Sequence, residues 1–182
     1  GVDRFITPSR FMKSKIESFG VRMAPIEQVN NFLRLETYDP NYEPGEYVLF
    51  FGQIIKVKGI VTLLNAMERL KGLIPLVIAG TGPLEETIRE TIREKGIENV
   101  TMVGHKSGTA LHELIRGARF VVVPSECYDN QPYAVLESFA LGKPVIGSDI
   151  GGIPELLDES VGRLFTPGDA ESLAVCIDAW AV

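Results

Sequence analysis

From residue 47 onward, short apolar runs alternate with stretches in which apolar residues recur every three or four positions. "YVLFF" (47–51) is a continuous apolar run, and "GIVTLLNAMERLK" (59–71) has helical spacing through Ile60, Leu63, Leu64, Met67 and Leu70. The same alternation continues down the chain. "IPLVIAG" (74–80) predicts a strand and "PLEETIRETIREKG" (83–96) a helix, opened by Pro83 at its first position and closed by Gly96. "VTMVG" (100–104) predicts a strand, "TALHELIRG" (109–117) a helix and "RFVVVP" (119–124) another strand. A helix from about Pro132 to Leu141, ended by Gly142, precedes strands at "PVIGS" (144–148) and "GRLF" (162–165), and "DAESLAVCIDAW" (169–180) is the last helix. Strands apolar on both faces, alternating with helices, imply a parallel sheet covered on both sides. The predicted fold class is therefore α/β, a Rossmann-like, doubly wound parallel sheet with right-handed crossovers. The pattern leaves strand order open.

The first 46 residues follow this alternation less well. "VDRFITPS" and "RFMKSKIESFG" predict one strand and one helix, whereas "MAPIEQVNNFLRLETYDPNYEPGE" reads as irregular, with Asn30, Asn31, Pro40, Pro44 and Gly45 as loop signals. Residues 1–46 are thus expected to lead into a domain at 47–182. The last helix runs out at "CIDAWAV" without a cap, and both ends read as cuts in a longer chain.

Composition narrows the function classes. With 45% hydrophobic and 23% charged residues over 182 positions, the chain can bury the core of one globular domain. Its longest apolar runs are too short to span a bilayer, and the first residues do not read as a signal peptide. A net charge of −6 without a stripe of Lys and Arg argues against nucleic acid as a partner. Cys127 and Cys176 form no CxxC pair, and His105 and His112 lack zincin spacing, so free thiols and no protein-bound catalytic metal are expected.

Ligands of open parallel sheets bind outside the carboxyl ends of the strands. Four loops fall there: "GQIIKVKG" (52–59), "GTGP" (80–83), "GHKSG" (104–108) and "SECYDNQP" (125–132). Lys58 immediately precedes a helix N-terminus, where a lysine and the helix dipole together would attract a phosphate. The alternative is that Lys56 and Lys58 are solvated surface lysines. "GTGPLE" lacks the third glycine of a dinucleotide fingerprint and no GxxxxGK[ST] occurs, so nicotinamide binding and P-loop hydrolysis are both unsupported. His105 directly follows a strand at the ligand-bearing edge, with a minor contact to a base or sugar in view. His112 reads as a surface or boundary residue and Trp180 as core or interface.

One helix raises a sharper question. In "DNQPYAVLESFALGKPV" (129–145), Glu137 sits on a helix that is apolar almost all the way round. A buried carboxylate must find hydrogen-bond donors. Those donors are either ligand hydroxyls across the helix start, or a backbone amide or an arginine such as Arg116 or Arg119. Asp129 or Asn130 is placed to cap the same helix.

Together these segments resemble retaining glycosyltransferases of the large family 4, which have the GT-B fold. The resemblance rests on "PSECYDNQPYAVLESFALGKPVIGSDIGGIPEL", "VLFFGQIIKVKGIVTLLNAMERL", "LVIAGTGPLEETI", "VTMVG" and "ARFVVVPS", in the family's order and spacing, and runs from about residue 4 to 175. It implies one half of a two-domain enzyme, the C-terminal half that binds a UDP- or GDP-sugar donor. The acceptor-binding N-terminal domain would be absent and the fragment alone inactive. Glu137 matches the second glutamate of the E-x7-E motif, which holds the ribose hydroxyls, and Asp129 falls on the first acidic position, which contacts the donor sugar. The backbone of Asn130, Gln131 and Pro132 would surround the sugar and its phosphate, with Gly52, Gln53, Gly82 and His105 also lining the donor site. Lys58 matches the lysine that neutralises the departing diphosphate. Lys58, Asp129 and Glu137 would therefore be the catalytic set, with no metal and no cofactor. Two departures stand out. Asp129 is one methylene shorter than the usual glutamate, with Glu126 nearby to substitute, and Gln53 replaces a phosphate-binding arginine, for which Lys56 could compensate.

The resemblance implies an enzyme of polysaccharide biosynthesis that moves a hexose such as mannose or glucose to a saccharide or lipid-linked acceptor. It would be cytoplasmic, with room for peripheral membrane association of the intact protein. The rival expectation is a non-catalytic, degenerate nucleotide-sugar-binding or regulatory module.

Overall fold

The computed structural model describes residues 1–20 and 24–181. Met23, the first residue of the stretch expected to be irregular, lies outside the described residues, as do Val21, Arg22 and Val182.

Six strands form one wholly parallel sheet: β3 (Tyr47–Phe51), β4 (Leu76–Ala79), β5 (Val100–Gly104), β6 (Ala118–Val123), β7 (Val145–Ser148) and β8 (Gly162–Phe165). Two further strands, β1 (Phe5–Thr7) and β2 (Ile26–Gln28), pair in parallel with each other. The helices are α1 (Arg10–Ser18), α2 (Ile60–Leu70), α3 (Glu85–Glu94), α4 (Gly108–Gly117), α5 (Tyr133–Ala140) and α6 (Ala170–Ala181).

Period-two alternation along the strands builds two cores. Val48, Phe50, Leu76, Ile78, Phe120 and Val122 pack one face against α2, α3 and α6, through Leu63, Leu64, Met67, Ile88, Leu173 and Ile177. Their neighbours Leu49, Ala79, Val121, Val123 and Val145 pack the other face against Ile115 of α4 and Val135 of α5. Both faces of each central strand are thus apolar, which is why the strands read as continuous runs. Trp180 closes the rim of the first core, edge-on to Phe120 at 5.7 Å between ring centroids.

Sheet order is β5-β4-β3-β6-β7-β8. The chain winds outward from β3 to β5, then returns to add β6 on the other side of β3. The crevice between β3 and β6 is therefore the topological switch point, where ligands of this fold bind.

Three expectations need correction. Residues 24–46 are not wholly irregular, because Ile26–Gln28 pairs with β1; a three-residue strand with one buried position leaves no periodic signal. Pro83 lies in the turn before α3 rather than at its first position, and the helix begins at Glu85. Neither Asp129 nor Asn130 caps α5: Pro132 holds the cap position, with no side-chain hydrogen bond.

The N-terminal segment is tied to the sheet domain by polar contacts that alternation along the chain could not reveal. The Glu155 carboxylate accepts the Arg10 and Phe11 amides at 2.9 and 2.6 Å, at the start of α1. Lys143, only 2% exposed, donates to the Glu43 carbonyl at 2.6 Å. Burial, reinforced by Arg116, pulls its ammonium below the usual lysine range, against the opposing pull of Glu43.

Candidate functional site

The four loops placed by the sequence at the ligand-bearing edge all lie at the carboxyl ends of adjacent strands, after β3, β4, β5 and β6. Backbone hydrogen bonds stitch the first three together: Gly52 N–H to Ala79 O at 3.0 Å, Ile54 N–H to Thr81 O at 2.9 Å and Gly80 N–H to Gly104 O at 2.9 Å. Gly82 packs against the backbone of buried Ile54, where any Cβ would collide. This glycine therefore serves loop packing. Gln53 and His105 project from the rim, both exposed.

The loops after β3 and β6 meet across the switch point. Residues 56–58 make a single 3-10 turn, and Gly59, with φ 69°, reverses the chain into α2. A side chain at 59 would be strained in that left-handed conformation and would also strike the Pro124 carbonyl. The Glu126 N–H donates to Val57 O at 2.8 Å, locking one loop to the other. Together Gly52, Lys58, Pro124, Ser125, Asp129 and Pro132 line a cleft of about 120 Å³.

Lys58 is not a freely solvated lysine. Its ammonium donates to both carboxylate oxygens of Asp129, at 2.7 and 2.8 Å. Asp129 also accepts the Ser125 hydroxyl at 2.5 Å, and the Cys127 thiol lies 3.9 Å away. Burial and then the Asp129 charge push that thiol above its ordinary range, against the opposing pull of Lys58, so Cys127 is held as a thiol rather than a nucleophile. Glu126, weighed as a stand-in for Asp129, is occupied elsewhere: its carboxylate accepts the Thr62 hydroxyl of α2 at 2.6 Å.

The loop from 128 to 131 is shaped by its neighbours. The Gly152 N–H donates to Asp129 O at 2.7 Å. Side chains at Gly151 and Gly152 would overlap the Asp129 and Asn130 carbonyls, which explains the paired glycines of "DIGGIPEL". Gln131 is buried and turned away from the cleft. Its side-chain oxygen accepts the Asn31 amide, and the Asn31 side chain returns a bond to Gln131 O at 2.9 Å. Gln131 therefore offers a ligand its backbone only. The amides of Asn130 and Gln131 make no hydrogen bond among the described residues.

Glu137 sits half-buried on α5, on the side that faces α4. Among the described residues no hydrogen bond or ion pair reaches its carboxylate. Both arginines considered as partners are engaged elsewhere. Arg116 pairs with Asp39 at 3.0 Å and Glu113 at 3.1 Å, and the Arg119 Nε donates to Trp180 O at 2.8 Å. Burial raises the Glu137 carboxyl above the usual range, and only the charge of His112 on α4 opposes it. His112 itself stacks on Tyr38 from the N-terminal segment at 4.8 Å, and the Tyr38 phenol is raised by burial and by Glu137. No sequence pattern signals this Tyr38–His112–Glu137 grouping, since its members lie on three separate segments.

Among the described residues, no three His, Cys, Asp or Glu side chains gather as a metal centre requires, and no helix is long and apolar enough to cross a membrane.

The sequence profile of the family described as "Glycosyl transferases group 1" matches residues 39–181, from Asp39 beside the Tyr38 stack to the end of α6. The chain belongs to the group 1 glycosyltransferases. It is 31% identical over 72% of its length to an uncharacterised glycosyltransferase of Methanocaldococcus jannaschii, covering 34% of that protein. It is 30% identical over 96% of its length to a glycogen synthase of Mycobacterium tuberculosis, covering 44% of it. The chain thus spans between a third and a half of these curated relatives. In structure it is similar to Anabaena HepE in complex with UDP, at TM-score 0.86 and 20% identity, over 98% of this chain and 54% of that one. The same Anabaena protein in complex with UDP-glucose gives a TM-score of 0.85 over the same shares. The fold is accordingly the Rossmann-like parallel sheet found in half of a GT-B glycosyltransferase.

Proposed function

We propose that this chain is the donor-binding, C-terminal half of a retaining glycosyltransferase. The intact enzyme would transfer a hexose from a UDP- or GDP-sugar to a saccharide or lipid-linked acceptor held by an N-terminal domain. The observation that carries this proposal is Glu137: a half-buried carboxylate, raised by burial and left without a hydrogen-bond donor, on the helix that starts at the switch point. Two vicinal ribose hydroxyls would supply the missing hydrogen bonds. UDP and UDP-glucose in the Anabaena structures support a nucleotide-sugar donor for this fold.

The other roles follow from position. The diphosphate lies over the crevice between β3 and β6, where the α2 and α5 N-termini and Lys58 supply positive potential. As the glycosidic bond to the donor breaks, negative charge grows on the leaving diphosphate, and Lys58 stabilises it without a resident metal. Gln53 contributes hydrogen bonds but no charge, so more of this stabilisation falls to Lys58, with exposed Lys56 in the same loop. Gly52, Gly82 and His105 border the nucleoside, and the backbone of Asn130, Gln131 and Pro132 borders the sugar. We place the intact enzyme in polysaccharide biosynthesis in the cytoplasm.

The neutral Gln53 favours a second proposal, a module that binds nucleotide-sugar without transferring it. Calorimetric titration of the chain with UDP and GDP tests the shared part. Micromolar binding of one nucleotide, strongly weakened by Glu137→Ala, is expected, and binding insensitive to that change would overturn the assignment. Sugar release from the donor by the full-length enzyme separates transferase from binding module.

A further inference from the structure

We infer that Asp129 is a positioning residue for Lys58: it holds the lysine as an internal counter-ion in the free protein and gives it up to the donor diphosphate. The inference rests on the donor-site proposal and revises one role within it. In the free protein, Asp129 is committed to Lys58 and Ser125. Both carboxylate oxygens accept the Lys58 ammonium, and Oδ2 also accepts the Ser125 hydroxyl at 2.5 Å. Ser125 is 1% exposed, and the two partners of the ion pair are 31% and 17% exposed, so the arrangement is partly shielded from water. The backbone around it is fixed as well, through Gly152 N–H to Asp129 O at 2.7 Å and Glu126 N–H to Val57 O at 2.8 Å.

Such a pair has two consequences for an incoming diphosphate. Lys58 is already aimed into the crevice, so little side-chain entropy is lost when a ligand arrives. The ligand must nevertheless compete with an existing charge-assisted contact, which lowers the net gain from the lysine. The shortened acid at position 129 suits a counter-ion, because Asp129 reaches Lys58 and Ser125 from its own loop. No step here involves a change in bonding; an ammonium exchanges one anionic partner for another.

UDP and GDP titrations of wild type, Asp129→Asn, Lys58→Ala and the double variant form the test. Asp129→Asn keeps the shape and removes the charge. It is expected to tighten binding of the preferred nucleotide about ten-fold, equivalent to about 1.4 kcal/mol. That gain should vanish in the Lys58→Ala background, because without Lys58 there is no partner for Asp129 to withhold. Asp129→Glu, which restores the carboxylate, should return affinity to near wild type, and Asp129→Ser repeats the comparison if the asparagine variant does not fold. A gain that survives in Lys58→Ala would reduce Asp129 to a general repulsive charge and overturn the inference. So would nucleotide affinity unchanged by Asp129→Asn, with only UDP-glucose or GDP-mannose weakened, since that is the behaviour of a residue that reads the sugar. Failure of wild type and every variant to bind either nucleotide would overturn the donor-site proposal and this inference with it. Binding by wild type with no Asp129 effect would overturn only the inference.

Discussion

Asp129 in the loop before α5 and Glu137 on α5 itself, eight positions apart, are carboxylates in opposite electrostatic states. Asp129 in the loop is surrounded by donors: an ammonium, a buried hydroxyl and a thiol nearby. Glu137 on the helix has none, and burial raises its carboxyl while only His112 opposes the shift. A satisfied carboxylate stabilises its surroundings, whereas an unsatisfied one costs stability until something supplies the missing bonds. The difference teaches where the ligand is expected to contribute: at Glu137 it completes a site, and at Asp129 it displaces a contact.

The largest effect should follow Glu137→Ala. Loss of two charge-assisted hydrogen bonds, each contributing about 1.5–3 kcal/mol, is expected to weaken the preferred nucleotide roughly 100-fold or more in calorimetry. Gly152→Ala strikes the Asp129 side of the comparison. Its Cβ would overlap the Asn130 carbonyl and push the loop outward, so a stability loss of about 1–3 kcal/mol in denaturant unfolding is expected. Asn31→Ala removes a bond to Gln131 O that pins the same loop from the N-terminal segment. About 1 kcal/mol, read as a drop of roughly 2–4 °C in Tm, is the expected cost.

The smallest effect is the most diagnostic of the contrast. A carboxyl raised in the folded state keeps its proton where the unfolded chain has lost it. Rising pH therefore erodes stability from about the unperturbed value of 4.5 up to the raised folded value, and the cost persists at neutral pH. Glu137→Gln should then raise Tm at pH 7 by roughly 1–2 °C, a small gain because the carboxylate is half exposed. The gain should disappear below pH 4.5, where wild type is protonated in both states. Added UDP or GDP should stabilise wild type but not Glu137→Gln. A melting series against pH, with and without nucleotide, checks both statements.

Much of the sheet domain was legible because its signal is local. "YVLFF", "VTMVG" and "GRLF" became strands with the expected bounds, since a strand covered on both faces must be apolar throughout. β2 was missed because three residues with one buried side chain have no period to detect. Glu137 was visible as an anomaly, an acid on an apolar helix, yet its lack of partners depended on where Arg116 and Arg119 turned. Gln131 was read for its backbone alone, and only the folded chain shows its side chain bonded to Asn31, 100 positions earlier. Lys143 carries no sequence signal of burial and is enclosed against Glu43.

By itself, the sequence determined the alternation of elements, the glycine-rich loops at strand ends and the family to which the chain belongs, because hydrophobic period and turn chemistry act over a few neighbouring residues. The tertiary structure alone decided the strand order that opens the crevice between β3 and β6, the pairing of Lys58 with Asp129 across 71 positions, and the isolation of Glu137. Those outcomes depend on which charged groups the folded chain brings within about 3–4 Å of one another, and at that range hydrogen bonding and Coulomb attraction are decided by packing rather than by spacing along the chain.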